Sequence, residues 1–147
     1  MTEEELQSFI ARLRIPRREA RCLWETAQLR DARTALAAPD LVSSEIYRLL
    51  EPYSDEALFL VWLASDEATV RQHIELYQRR LRWAKPRLDG AYLKALGLKP
   101  GPIYRRILTE LHDAVLNGLV PTRADQEAFV QRLLEETPGS GIRKTAA

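Results

Sequence analysis

This sequence is short of the residues that build disulfides, metal sites and membrane spans. It has one cysteine, Cys22, and two histidines, His73 and His112, in 147 residues. A single cysteine excludes an internal disulfide and a cysteine-based zinc site, and the histidines fall in separate predicted helices. No window approaches the roughly 18 apolar residues that cross a bilayer, and the acidic N-terminus has the wrong sign for a signal peptide. We therefore expect a soluble, cytoplasmic chain without a metal site.

Motifs for catalysis are equally scarce. No G-x-x-x-x-G-K-[ST] phosphate loop, G-x-G-x-x-G or G-x-S-x-G nucleophile turn occurs. Paired carboxylates such as Asp55 with Glu56 stand at predicted helix starts, where capping and the helix dipole explain them. We therefore predict no catalytic residue and no cofactor in this chain.

Apolar residues recur with the helical period throughout, and no period-two alternation appears. Helices are predicted over residues 3–13, 17–36, 43–50, 55–64, 66–84, 90–96, 102–117 and 122–135. The predicted fold is an all-α bundle of about eight helices, with two small lobes joined between residues 66 and 87. The helix over 55–64 is apolar nearly all round, so it is expected in the middle of the bundle. Cys22 is expected to be a small buried apolar residue.

Positive charge is concentrated in one segment, although the whole chain carries a net charge of only +1. Residues 71–106 hold ten basic and two acidic side chains, whereas residues 1–70 hold eight basic and 13 acidic ones. A basic segment in an otherwise balanced protein is typical of a polyanion-binding surface.

The most informative stretch of the sequence is residues 92–123, and we call its part over residues 93–108 the elbow. It predicts the end of a short helix, a tight Gly/Pro loop, and a long helix that starts at Pro102. Gly101 lets the backbone approach a ligand without a Cβ, and Pro102 takes a position where its missing N–H costs nothing. The N–H groups of Ile103 and Tyr104 are expected to point outward, and such groups at a helix start bind phosphate.

This arrangement is similar in principle to a helix–hairpin–helix, which grips nucleic-acid backbone without reading sequence. The alternative is an ordinary helix–helix corner whose arginines are merely solvated. The candidate nucleic-acid-binding residues are Lys94, Lys99, Gly101, Ile103, Tyr104, Arg105 and Arg106 in the elbow, with Arg79, Arg82, Lys85 and Arg87 before it.

The elbow also carries a family resemblance. The string L-x-x-L-G-L-x-P-G-P-x-Y-x-x-I-L, followed by A-x-L-x-G and T-R, resembles the C-terminal region of bacterial tRNA nucleotidyltransferases and poly(A) polymerases. These are the CCA-adding and A-adding enzymes, and the resemblance covers about residues 40–134. It implies a tRNA-binding helical body and tail over 40–136. Residues 1–39 are assigned to an N-terminal helical segment, and residues 137–147, which lack periodicity, are expected to form a disordered tail.

In that family the catalytic head lies N-terminal and carries a Gly-rich strand–turn and a D-x-D metal pair. Neither motif occurs in this sequence. The resemblance therefore implies a domain of a nucleotidyltransferase that binds tRNA or other structured RNA without itself catalysing, with no membrane partner. Mg²⁺ and nucleoside triphosphates are expected only in a head domain of the same longer chain.

Three points stay open at this stage. Many relatives have a glycine where this chain has Arg105, which either moves the helix away from the phosphate or replaces a backbone contact with a charged one. Tyr104 or Trp83 is a candidate for stacking on an unpaired base, although burial in the core is the favoured prediction for Trp83. The alternative function is a helical protein-interaction domain whose basic stripe meets an acidic partner.

Overall fold

The computed structural model describes residues 1–137, and over that range the chain is all-α, as predicted. Apart from Thr137, the tail assigned to residues 137–147 lies outside the described residues. The helices are α1 (Glu3–Arg12), α2 (Arg17–Asp31), α3 (Arg33–Leu36), α4 (Ser43–Leu50), α5 (Asp55–Ala64), α6 (Ala68–Arg79), α7 (Gly90–Ala95), α8 (Pro102–Leu116) and α9 (Arg123–Glu136). Within residues 1–137, none of them is both long and apolar enough to span a membrane.

Two predicted helices are interrupted. The one expected over 17–36 breaks at Ala32 into α2 and α3. The one expected over 66–84 ends at Arg79 and is followed by a 3₁₀ turn, Leu81–Trp83. Such tightened turns are common where an α-helix ends, because i→i+3 bonds satisfy its last carbonyl groups.

The chain forms two compact units, Met1–Arg82 and Trp83–Ala147. This boundary falls within the interval 66–87 in which a joint between lobes was predicted. Residue 39, where the sequence placed a segment boundary, does not separate these units, because residues 1–82 form one of them.

In the first unit α2 packs along α5, and α3, α4 and α5 pack on α6. Leu29, Leu58 and Ile74 are fully buried there. The carboxylate of Glu25 joins two of these elements, since it accepts hydrogen bonds from Arg21 Nε at 2.7 Å and from the Ser54 N–H at 2.9 Å. Ser54 is the N-cap of α5, so this carboxylate fixes where α5 begins relative to α2.

The position expected for α5 is wrong. Leu58 is fully buried, but Phe59 is 55% exposed and Leu63 is 58% exposed. One face of α5 meets α2 and α6, and its other face carries exposed apolar side chains that no other helix of the first unit covers. Cys22 is likewise only half-buried rather than buried.

The second unit contains α7, α8 and α9, and α8 packs against both of the others. Its buried core comprises Leu88, Leu93, Leu98, Ile107, Leu111, Ala114, Val120, Val130 and Leu134. Trp83, the first residue of this unit, does not join that core. Its exposed fraction is 68%, so the favoured prediction of burial is wrong.

Candidate nucleic-acid interface

The elbow begins with a specific helix ending. Gly97 has φ +86°, and its N–H donates to Lys94 O at 2.9 Å while the Leu98 N–H donates to Leu93 O at 3.2 Å. This pair of bonds is the Schellman motif, which needs a left-handed residue that glycine supplies without a steric penalty. Leu98 and Leu93 are both buried in the core of the unit, so the motif also anchors the loop.

A tyrosine holds the middle of the loop. The Tyr104 hydroxyl donates to Leu98 O at 2.7 Å, and its ring lies 3.7 Å from where a Cβ on Gly90 would stand. Tyr104 therefore ties the start of α7 and the loop to α8. Its half-buried ring and bonded hydroxyl support a structural role and disfavour stacking on a base.

The start of α8 is open. Gly101 precedes Pro102 with extended backbone, and a Cβ built on Gly101 would meet nothing within 4 Å. Among the described residues the Ile103 N–H has no hydrogen-bond acceptor. The Tyr104 N–H does have one, since it donates to Gly101 O at 3.0 Å, so the expectation that both groups are free is wrong for Tyr104. The Ile103 N–H therefore remains available to an anion, together with the helix dipole.

Four cationic side chains of the elbow are exposed. Lys94 stands in the last turn of α7, Lys99 in the loop, and Arg105 in the second turn of α8. None of these three forms an ion pair with a described residue. Arg106 does, since its Nε lies 2.9 Å from Glu110 Oε1, and part of its charge is already compensated.

The open start of α8 continues into a shallow groove along the helix. It is lined by Gly101, Pro102, Arg105, Arg106, Thr109 and Glu110. Arg105, the residue that departs from the family pattern, therefore borders the groove beside Gly101. Of the two readings of Arg105, this placement favours a charged contact in place of a backbone contact.

The remaining candidate residues are distributed over both units. Arg79 and Arg82 belong to the first unit, and Lys85 and Arg87 to the second. Arg79, Lys85 and Arg87 are exposed, whereas Arg82 is partly buried and pairs with Asp55 Oδ1 at 2.7 Å.

Two residues that sequence reasoning missed hold the basic chain before the elbow. His112 Nε2 donates to Ala84 O at 3.0 Å, and the side-chain oxygen of Gln126 accepts from the Arg87 N–H at 2.8 Å. Gln126 is 2% exposed, and its amide nitrogen donates to Val120 O at 3.4 Å. The one signal in the sequence was Gln126 itself, a polar residue at a position of the helix that faces the core.

No group of three or more His, Cys, Asp or Glu side chains is placed to hold a metal ion within residues 1–137. His73, in the first unit, also serves packing, since its Nδ1 donates to Leu36 O at 2.7 Å.

Fold and site together define an all-helical chain whose second unit presents a cationic, open helix start. The A-adding tRNA nucleotidyltransferase of Geobacter sulfurreducens is 35% identical over 103 residues, which are 70% of this chain and 12% of that protein. The A-adding tRNA nucleotidyltransferase of Deinococcus radiodurans is 48% identical over 56 residues, which are 37% of this chain and 13% of that protein. The chain thus matches a segment of the tRNA nucleotidyltransferase family, and the family resemblance is confirmed.

The chain spans only a small part of the length of these relatives. No family model matches it, and no solved structure is significantly similar to it.

Proposed function

We propose that the second unit binds the phosphate backbone of tRNA through the elbow, as part of a nucleotidyltransferase that adds nucleotides to tRNA. The observation that carries this proposal is the open start of α8. The Ile103 N–H is free there, Arg105 lines the same groove as Gly101, and the exposed Lys99 precedes Gly101 by two residues. A phosphate needs donors, positive charge and room for close approach, and this arrangement supplies all three.

The division of labour is also part of the proposal. The relatives carry the name A-adding tRNA nucleotidyltransferase, which supports tRNA as the substrate of the whole protein. We assign catalysis, Mg²⁺ and the nucleoside triphosphate to a head domain with motifs that this sequence lacks. Whether the whole protein adds A, CCA or a poly(A) tail is decided in that head, and the cytoplasmic location expected from the sequence goes with this role.

One observation favours a second candidate, a protein-interaction role for the first unit. The uncovered face of α5 carries Phe59, Leu60 and Leu63, which are 38–58% exposed. Contiguous exposed apolar side chains often mark a surface on which another domain packs. This role is compatible with RNA binding by the second unit, and it does not involve the elbow.

The test of RNA binding is titration of labelled tRNA with the wild-type chain and with a Lys99→Glu/Arg105→Glu variant. Reversing two phosphate contacts should weaken binding at least tenfold, because each contributes electrostatic free energy. The matched control is Arg12→Glu/Arg17→Glu, which makes the same charge change at exposed positions of the first unit. It should bind tRNA within about twofold of wild type if the contacts are local.

Two results would refute the proposal. One is a wild-type chain that binds no tRNA at low salt. The other is an elbow variant that binds no worse than the control variant, which would leave the basic stripe to an acidic protein partner.

A further inference from the structure

We propose that Trp83 is a stacking platform for an unpaired base of the bound RNA, which deepens and rests on the proposed function. The elbow supplies phosphate contacts only. Trp83 would add a contact to a base face, which a phosphate-binding site alone cannot make.

The exposure of Trp83 follows from the local backbone. Leu81 opens the 3₁₀ turn and is fully buried, while Trp83 closes the same turn and is 68% exposed. A single exposed aromatic residue is no evidence of a site by itself, so its surroundings decide the matter.

Those surroundings are cationic. No acidic residue occurs between Trp83 and Asp89. Lys85 and Arg87, which belong to the same unit as Trp83, both have exposed side chains. Aromatic side chains set among cations are how proteins bind single-stranded nucleic acid, since the cations follow the phosphates while the rings stack on bases.

The platform is also held in place. The residue after Trp83 is fixed through the bond from His112 to Ala84 O, and the chain is fixed again where the Arg87 N–H meets Gln126. Leu88 then enters the core at 3% exposure. A ring on a backbone that is already ordered loses little further entropy when a base stacks on it.

A nucleobase fits these observations better than a protein or a lipid surface. An acidic protein would satisfy the cations but has no need of a flat, exposed indole. A nucleic acid carries phosphates and planar rings at regular spacing, so one ligand accounts for both features.

The test compares Trp83→Ala and Trp83→Phe with wild type on two ligands, tRNA and a blunt RNA duplex of similar length. Trp83→Ala should weaken tRNA binding roughly 5- to 100-fold, and Trp83→Phe should restore most of the loss. Neither variant should change the affinity for the duplex, which offers no unpaired base. The tryptophan fluorescence of Trp83 is the difference between the emission of wild type and that of Trp83→Phe. Addition of tRNA should quench this difference.

The outcomes separate this inference from the proposed function. If Lys99→Glu/Arg105→Glu loses tRNA and Trp83→Ala does not, the stacking role is refuted and phosphate binding stands. Equal losses of tRNA and duplex in Trp83→Ala would also refute stacking, as would quenching by phosphatidylserine vesicles with no response to RNA. A wild-type chain that binds no RNA overturns both proposals.

Discussion

Gly97 and Gly101 stand four residues apart in one loop and serve different purposes. Gly97 adopts φ +86°, a left-handed conformation, whereas Gly101 has extended backbone that any residue adopts. Neither has a neighbour within 4 Å of an added Cβ, so sterics with the rest of the protein do not distinguish them. Conformation alone makes Gly97 necessary for the fold, and the proposed ligand alone makes Gly101 necessary for binding.

We therefore predict opposite effects of the same substitution at these two glycines. Gly97→Ala should lower the free energy of unfolding of the second unit by about 1–2 kcal/mol, the cost of a left-handed alanine. Gly101→Ala should leave that free energy within about 0.5 kcal/mol and should weaken tRNA binding, because the methyl group occupies the space of the phosphate. Urea unfolding and tRNA titration of both variants measure the two quantities. A Gly101→Ala variant that binds tRNA like wild type would argue against close approach of the backbone.

Glu25 gives a prediction about pH. Burial by itself raises the pKa of this carboxyl group, but hydrogen bonds from Ser54 and the ion pair with Arg21 outweigh burial and hold the pKa below its ordinary value. A carboxylate with a lowered folded pKa stabilises the protein above its unfolded pKa of about 4.3. That contribution is lost as the pH falls through the folded pKa.

The matching experiment is unfolding of wild type and Glu25→Gln at pH 7 and pH 3. At pH 7 wild type should be more stable than Glu25→Gln by about 1–3 kcal/mol, the contribution of charge-assisted hydrogen bonds of this kind. The difference in stability should shrink at pH 3. Both proteins contain the same other carboxylates, so the contribution of those groups to the pH dependence cancels in the comparison. A difference that is independent of pH would show that the ionised form of Glu25 contributes nothing.

At the scale of whole elements, periodicity predicted most helices, and α1, α5, α7 and α9 also begin with a side-chain cap. Thr2 with Glu5 and Thr122 with Asp125 form capping boxes in the structure, and Asp89 caps α7. These signals are local, so the sequence alone locates them. The break at Ala32 has no proline or glycine to mark it, and it was missed.

Burial of whole elements could not be predicted equally well. Trp83 and all sides of α5 were predicted to be buried because these side chains are large and apolar. Which face of an apolar helix is covered depends on how many helices pack on it, and α5 has two principal neighbours, α2 and α6. That number is a property of the tertiary arrangement and leaves no mark in a segment that is apolar all round.

Two leucines in α5 test this correction with the same substitution. Leu58→Ala should lower the free energy of unfolding by about 2–5 kcal/mol, because Leu58 is fully buried and its removal leaves a cavity. Leu63→Ala should cost less than about 1 kcal/mol, since Leu63 is 58% exposed and alanine favours the helix. Chemical denaturation measures both. Equal losses of stability in the two variants would show that α5 is buried on both faces, as its composition first indicated.

At the scale of the whole molecule, a net charge of +1 conceals a strong division of charge along the chain. The ten basic residues of 71–106 are distributed along the chain before and after residue 82, and four of them belong to the elbow. The sequence could predict this concentration and the family to which the segment is related. It could not predict that Arg106 and Arg82 are paired with carboxylates, or that Tyr104 closes the loop. Those contacts join residues whose geometry only the folded chain defines.

Electrostatic binding of this kind has a characteristic response to salt. Each phosphate neutralised by a cation releases counterions, so the logarithm of the association constant falls linearly with the logarithm of the salt concentration. The slope therefore counts phosphate contacts without reference to the affinity itself.

The most direct test of phosphate binding at the elbow is this slope for tRNA, measured between about 50 and 200 mM salt. Wild type and Arg12→Glu/Arg17→Glu should give parallel, steep lines. The line for Lys99→Glu/Arg105→Glu should be shallower by about 1.5, which corresponds to two lost contacts. A wild-type line without slope, or an elbow variant with the same slope as wild type, would contradict the account.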